Sequence, residues 1–258
     1  MERTSYPPGT PNWVDVTSPD IHAAARFYCD LFGWNATDLG EEFGNYHMFD
    51  LDGKTVAAGS PSMMGDASPP AWTSYFSVAD ADTTLEAIEN LGGSVLMPGT
   101  DVAEAGRMGI ARDPLGGVFA VWQPGTTVGA QMVNVPGAWC WNELTTRNAD
   151  ELLTFYTAIF GWDVEKLDGG GFVYREIQLD GRRIAGCMEM DENWPPDLPT
   201  HWMVYFAVDD ADAATQKVTE LGGSVHMPPR DIPVGRFAVV QDPTGATFSL
   251  IKLDRADD

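Results

Sequence analysis

Two carboxylates, Asp15 and Glu143, each stand two residues after a tryptophan, in Trp13-Val14-Asp15-Val16-Thr17 and Trp141-Asn142-Glu143-Leu144-Thr145. Strand alternation puts residues i, i+2 and i+4 on one face, so each acid shares a face with an indole and a threonine. A carboxylate in such surroundings can accept a ligand's amine or hydroxyl, or act as a base if burial raises its pKa. The same parity adds Thr73, Tyr75, Ala120 and Trp122 to the first face, and Met203, Tyr205, Ser249 and Ile251 to the second. Trp and Tyr offer flat stacking area with a polar handle, a suitable floor for a planar organic ligand. Asp15 and Glu143 are thus the candidate catalytic residues. Trp13, Thr17, Thr73, Tyr75, Trp122, Trp141, Thr145, Met203, Tyr205 and Ser249 are candidates for ligand contact.

Arg107 and Arg236 each follow a glycine and come after an aspartate, Asp101 or Asp231. They join the ligand candidates as a fork for an anionic group. The plainer reading holds a loop through an Asp–Arg pair. Likewise the tryptophans could fill the cups as core, with the two acids paired to Arg107 and Arg236.

These residues occur in pairs because the chain repeats itself. "WVDVTSPDIHAAARFYCDLFGW" from Trp13 returns as "WNELTTRNADELLTFYTAIFGW" from Trp141. "YFSVADAD" returns as "YFAVDDAD", "LGGSVLMP" as "LGGSVHMP", and "DPLGGVF" as "DPTGATF". An internal repeat of this length implies two similar domains, residues 10–125 and 137–253, joined by a Gly/Pro-containing connector over 126–136. Within each, a strand leads to a helix ended by glycine, strands follow, and the order β-α-β-β(-β) then starts again. Apolar residues of opposite parity, such as Phe76, Phe119, Phe206 and Phe248, belong to a helix-covered face. The predicted fold is α+β: two tandem domains, each of paired βαβββ modules forming a curved mixed sheet with helices on its convex side.

The "FYCDLFGW" helix end, the "SVxDAD" entry, the "LGG" exit and the "DPxG" hairpin resemble the vicinal-oxygen-chelate superfamily, which includes glyoxalase I, extradiol dioxygenases and bleomycin-resistance proteins. The resemblance implies a ligand cleft inside each cup. Metal enzymes of that family place His, Gln or Glu on the concave strands. Here the matching positions hold Trp13, Thr73 and Ala120 in the first half and Trp141, Met203 and Ser249 in the second. A fourth position falls near Ala58 or Gly186. No cofactor is therefore expected, and no divalent metal at the family's place.

The 258 residues carry a net charge of −23, which repels nucleic acid and suits cationic or amphipathic ligands. Cys29, Cys140 and Cys187 are read as buried free thiols. His22 is read as solvated in a first helical turn, and His47 as facing the helix side. Met63, Met64 and Trp194, in Pro-rich loops, could cap a ligand. With no apolar leader or membrane span, the protein is expected to be cytoplasmic, as monomer or homodimer, without a membrane partner. Three functions compete. The first is a metal-free binder of a small hydrophobic or cationic organic molecule. The second is a glyoxalase- or hydroxylase-like enzyme using a rearranged metal site or a carboxylate base. The third is an interaction protein with filled cups.

Overall fold

The computed structural model of the chain describes residues 1–62, 69–169 and 172–254. Its first half runs β1 (Pro11–Ser18), α1 (Ile21–Phe32), β2 (Asn35–Asp38), β3 (His47–Leu51), β4 (Lys54–Pro61), β5 (Ala71–Ser77), α2 (Ala81–Asn90), β6 (Ser94–Val102), β7 (Gly106–Arg112) and β8 (Val118–Pro124). The second half repeats it as β9 (Trp139–Thr146), α3 (Ala149–Phe160), β10 (Asp163–Gly169), β11 (Phe172–Leu179), β12 (Arg182–Glu189), β13 (His201–Ala207), α4 (Ala211–Glu220), β14 (Ser224–Ile232), β15 (Gly235–Gln241) and β16 (Thr247–Leu253).

Local chemistry sets the helix ends. Asp20, Asp80 and Asp210 are N-caps whose carboxylates accept from the backbone N–H three residues on. Gly33 and Gly161 end α1 and α3 in the left-handed region, at φ 75° and 71°, where a side chain would be strained. Each half makes one eight-stranded mixed sheet, ordered β2-β3-β4-β1-β5-β8-β7-β6 and β10-β11-β12-β9-β13-β16-β15-β14. The modules of each half join through antiparallel pairing of β1 with β5 and of β9 with β13. The first strand of each half thus lies at the middle of its sheet, with the acid-bearing face turned into the cup.

The helix-side faces of the two sheets share their cores across the halves. Phe32 of α1 packs 4.9 Å from Phe206 of β13, and Phe76 of β5 lies 5.2 Å from Phe160 of α3, between ring centroids. Phe76, Phe119, Phe206 and Phe248 are all fully buried. At the centre of each shared core lies a polar lock. Tyr28 donates from its hydroxyl to Asp242 at 2.8 Å and accepts from the Trp72 indole at 2.9 Å. The mirror copy joins Tyr156 to Asp113 at 2.9 Å and Trp202 to Tyr156 at 2.9 Å. Each aspartate also folds its own hairpin turn. Asp242 accepts from the backbone N–H groups of Thr244, Gly245 and Ala246, and Asp113 from those of Leu115 and Gly117. The Phe-Tyr and Asp-Pro-x-Gly motifs therefore meet, but always one from each half. Trp34 and Trp162 are also core residues, each donating to a distant backbone carbonyl, Gly137 and Gly9.

One sequence expectation changes here. Cys29 and Cys140 are half-buried and only Cys187 is fully buried, where desolvation pushes its thiol up to about 12. Met63 and Met64 lie outside the described residues. Among the described residues no helix is long and apolar enough to cross a membrane.

Candidate functional site

Strand pairing assembles each cup cluster from neighbouring backbones. Trp13 lies opposite Tyr75 and Asp15 opposite Thr73 across β1 and β5, while Asp15 also faces Ala58 on β4. In the second half Trp141 lies opposite Tyr205, and Glu143 lies between Met203 and Gly186. The carboxylates and indoles named from the sequence do share a face in each cup.

Asp15 is buried, and its Oδ2 accepts from Tyr75 at 2.7 Å and from Tyr46 at 3.1 Å. Thr73 adds a further hydrogen bond. The Trp13 indole donates to the Tyr46 hydroxyl at 3.3 Å, completing a chain from indole to phenol to carboxylate. Desolvation dominates the electrostatics and raises the Asp15 pKa to about 6, while the neutral donors oppose it. Both phenols are pushed well above their ordinary value, by burial first and then by the Asp15 charge, and so remain donors.

The second cup reproduces this chemistry with a longer acid. Tyr205 donates to Glu143 at 2.9 Å, Tyr174 hydrogen-bonds the same carboxylate, and the Trp141 indole donates to Tyr174 at 3.0 Å. Burial raises the Glu143 pKa, and the two phenols lower it. Glu143 and Trp141 remain half-buried, whereas Asp15 and Trp13 are buried. Ser249 is fully buried beside Tyr205, which it hydrogen-bonds.

The difference between cups has a structural cause. Trp122 of β8 donates to the Thr127 carbonyl at 2.9 Å, and the connector is strapped on by Ala130 N–H to Asn12 O at 2.8 Å and Gln131 N–H to Thr55 O at 2.7 Å. Ile251 takes the place of Trp122 in the second sheet, where Tyr205 pairs with Ser249 and Ala207 with Ile251. The first cup is therefore narrowed by an indole bound to the connector.

Tyr46 and Tyr174 were missed in the sequence. Their signal was available: each directly precedes a helix-facing residue, His47 or Arg175, so alternation turns it into the cup. What alternation cannot show is the space made for Tyr174. A Cβ at Gly186 would overlap the Tyr174 hydroxyl oxygen, whereas Ala58 occupies the matching place beside Asp15. Gly186→Ala is expected to cost about 1–3 kcal/mol by overpacking and to displace Tyr174 from Glu143. Urea denaturation measures the cost; an unchanged midpoint would mean that Tyr174 moves aside freely.

Arg107 and Arg236 do not form an anion fork in the cups, and neither pairs with Asp15 or Glu143. Arg107 is bound by Asp82 at 2.9 Å and Asp101 at 2.8 Å, and Arg236 by Asp212 at 2.6 Å and Asp231 at 3.0 Å. Asp82 and Asp212 belong to α2 and α4, so both guanidinium groups lie on the helix side. Thr17 sits 3.5 Å from the Ser60 hydroxyl at the far end of the first strand, and Thr145 is buried at the matching place.

As a donor set, neither cup offers the ligands of a divalent transition ion of the zinc type. Each offers a single carboxylate, already engaged by two neutral phenols, with Ala58 and Ala120 or Gly186 and Ser249 beside it. Such ions require three or four ligands with carboxylate or imidazole character.

The profile of the Glyoxalase/Bleomycin resistance protein/Dioxygenase superfamily matches residues 10–121 and 140–250, and the chain belongs to that family. Among its relatives, "Putative glyoxylase CFP32" of Mycobacterium tuberculosis is 42% identical over 257 residues, covering 97% of both chains. "Anthracycline biosynthesis protein DnrV" of Streptomyces peucetius is 38% identical over 264 residues, covering 97% of this chain and 95% of its own. The Mn(II)-bound glyoxalase of Novosphingobium aromaticivorans superposes with a TM-score of 0.66 at 16% identity, over 100% of this chain and 87% of the other. The 2,3-dioxygenase LapB of Pseudomonas sp. KL28 gives 0.64 at 15%, over 96% and 93%. At that identity the two structures speak for the fold alone.

Proposed function

We propose that the protein binds a small aromatic or hydrophobic organic molecule carrying an amine or other proton-donating group, and does so without a metal in its cups. One observation carries this reading: each cup holds a buried or half-buried carboxylate whose partners are neutral phenols, with no cation among them to balance it. The arginines expected to form a fork there are held by other acids on the helix side. A ligand ammonium would supply the missing charge, and the indole and phenol faces around it favour a cation further. Glu143 is the more reachable acid, and the second cup is assigned as the principal site. A relative named for anthracycline biosynthesis agrees with flat aromatic ligands as the class to test first.

The test uses aromatic amines and their neutral isosteres, followed by tryptophan fluorescence and thermal shift in EDTA. Amines should bind and EDTA should leave that binding unchanged. Glu143→Ala should weaken it by about 1–3 kcal/mol, the range for losing a charged hydrogen bond, without unfolding the chain. Equal binding of amines and isosteres, or binding abolished by EDTA, would reject the reading.

A second reading rests on the Asp15 carboxylate, whose pKa near 6 suits a general base at neutral pH. On that reading Asp15→Asn lowers turnover while ligand binding persists.

A further inference from the structure

On the helix side of the first half, away from both cups, α1, β2 and β3 border an open recess of about 580 Å³. His22, Asp38 and His47 line it, one from each element, and one ligand atom of each lies within 4.8 Å of the other two. Along the sequence their roles are unrelated: a solvated residue in a first helical turn, an acid on a short strand and an inward-facing strand residue. The fold brings them together.

The ring of His47 is already oriented for coordination. It is buried, and its Nδ1 lies 2.8 Å from the Asn45 carbonyl. A carbonyl accepts only from a protonated ring nitrogen, so in the neutral imidazole this bond puts the lone pair on Nε2. Nε2 lies 4.0 Å from Asp38 Oδ2. Metal-bound histidines are commonly held in this way, the second nitrogen donating to a backbone or carboxylate oxygen. The His22 ring meets His47 edge-on at 5.1 Å between centroids.

The repeat supplies an independent observation. At the positions of His47, His22 and Asp38 the second half has Arg175, Asp150 and Lys166. There the buried Arg175 guanidinium lies 2.7 Å from both Asp150 and Glu189, so that half fills the position with a fixed cation. In the first half the arginine is replaced by an imidazole, its acid partner by a second imidazole, and a lysine by an acid. Two of these exchanges put imidazoles where the second half has an ion pair, and the third puts a carboxylate where it has Lys166. The covalent cation is gone, and the donors that would hold a free one are in its place.

We infer that His22, Asp38 and His47 form a binding site for a divalent transition ion of the zinc type, with a fourth position open to the recess. Two imidazoles and a carboxylate suit such an ion, and three protein ligands with one open position form a recognised zinc arrangement. Tetrahedral bonds of about 2.0–2.1 Å place ligand atoms roughly 3.3 Å apart, so a spacing of up to 4.8 Å has to close by up to about 1.5 Å. The exposed side chains of His22 and Asp38 can make that movement while buried His47 stays fixed.

Calorimetric titration of the untagged, EDTA-stripped chain with zinc chloride tests the inference, with cobalt(II) absorption reporting coordination geometry. One ion per chain is expected, raising the melting temperature and giving tetrahedral cobalt bands. His22→Ala and Asp38→Asn alter exposed residues and should fold normally, yet each should weaken zinc about 10- to 100-fold. His47→Asn should abolish it. Absence of binding at millimolar zinc would overturn the site. So would a bound ion whose affinity survives both His22→Ala and Asp38→Asn.

Discussion

Asp15→Asn is expected to become more stable relative to the parent protein as pH rises from about 4 to about 7.5, by about 3 kcal/mol. The native pKa of Asp15 is raised from 3.8 to about 6, so the folded chain holds this proton more tightly than the unfolded chain does. A raised native pKa contributes stability that is complete below the unfolded value and is lost as pH climbs through the folded one. About two pH units at about 1.36 kcal/mol each give the expected change. The asparagine amide has no charge to desolvate, and its oxygen can still accept from Tyr46 and Tyr75. Paired urea denaturation of both proteins across this range isolates the effect, because every other titrating group is common to both. A constant difference would place Asp15 at an ordinary carboxylate pKa and remove the case for an unbalanced buried charge. Stability sacrificed at one position, with no cation to recover it, is the pattern expected of a site shaped for a ligand.

Asp242→Ala and Asp113→Ala should each cost about 3–5 kcal/mol, the largest losses expected of any turn residue in this chain. Both aspartates are buried and serve two partners at once: the N–H groups of their own turn and a tyrosine hydroxyl from the other half. Alanine leaves these donors unsatisfied, at about 1–3 kcal/mol for each one that water cannot reach. Tyr28→Phe leaves the turn intact, removing the cross-half bond and the acceptor of the Trp72 indole, and should cost less. A double-mutant cycle between Tyr28 and Asp242 should show coupling near 1 kcal/mol or more. The lock also predicts that the halves unfold together, in one transition by fluorescence and circular dichroism. Two separated transitions in the parent protein would show that the halves are held independently of the lock.

Much of the site was legible because a strand's side chains alternate without reference to anything distant. That rule alone put Trp13 with Asp15 and Trp141 with Glu143, and it separated them from the helix-facing phenylalanines. It extends to Tyr46 and Tyr174, whose place beside the acids depends only on His47 and Arg175 facing the other way. Of the two readings of the arginines the structure has the Asp pair, which the spacing to Asp101 and Asp231 made visible, while their second partners, Asp82 and Asp212, lay on helices that fold over from elsewhere.

From sequence alone came the repeat, the α+β modules, the capped helices and the two acid-bearing faces. Self-similarity shows the repeat directly, and the others follow from patterns among near neighbours along the chain. The tertiary structure decided which copies of those patterns meet. "Phe-Tyr" and "Asp-Pro-x-Gly" occur twice each, and either could have closed on its own half; packing joins Tyr28 to Asp242 and Tyr156 to Asp113. It also decided that the connector narrows the first cup, that Gly186 yields its space to Tyr174, and that His22, Asp38 and His47 converge. The physical reason is the same throughout. Alternation and capping are local backbone chemistry, whereas convergence depends on how two curved sheets and their helices exclude water from a shared core.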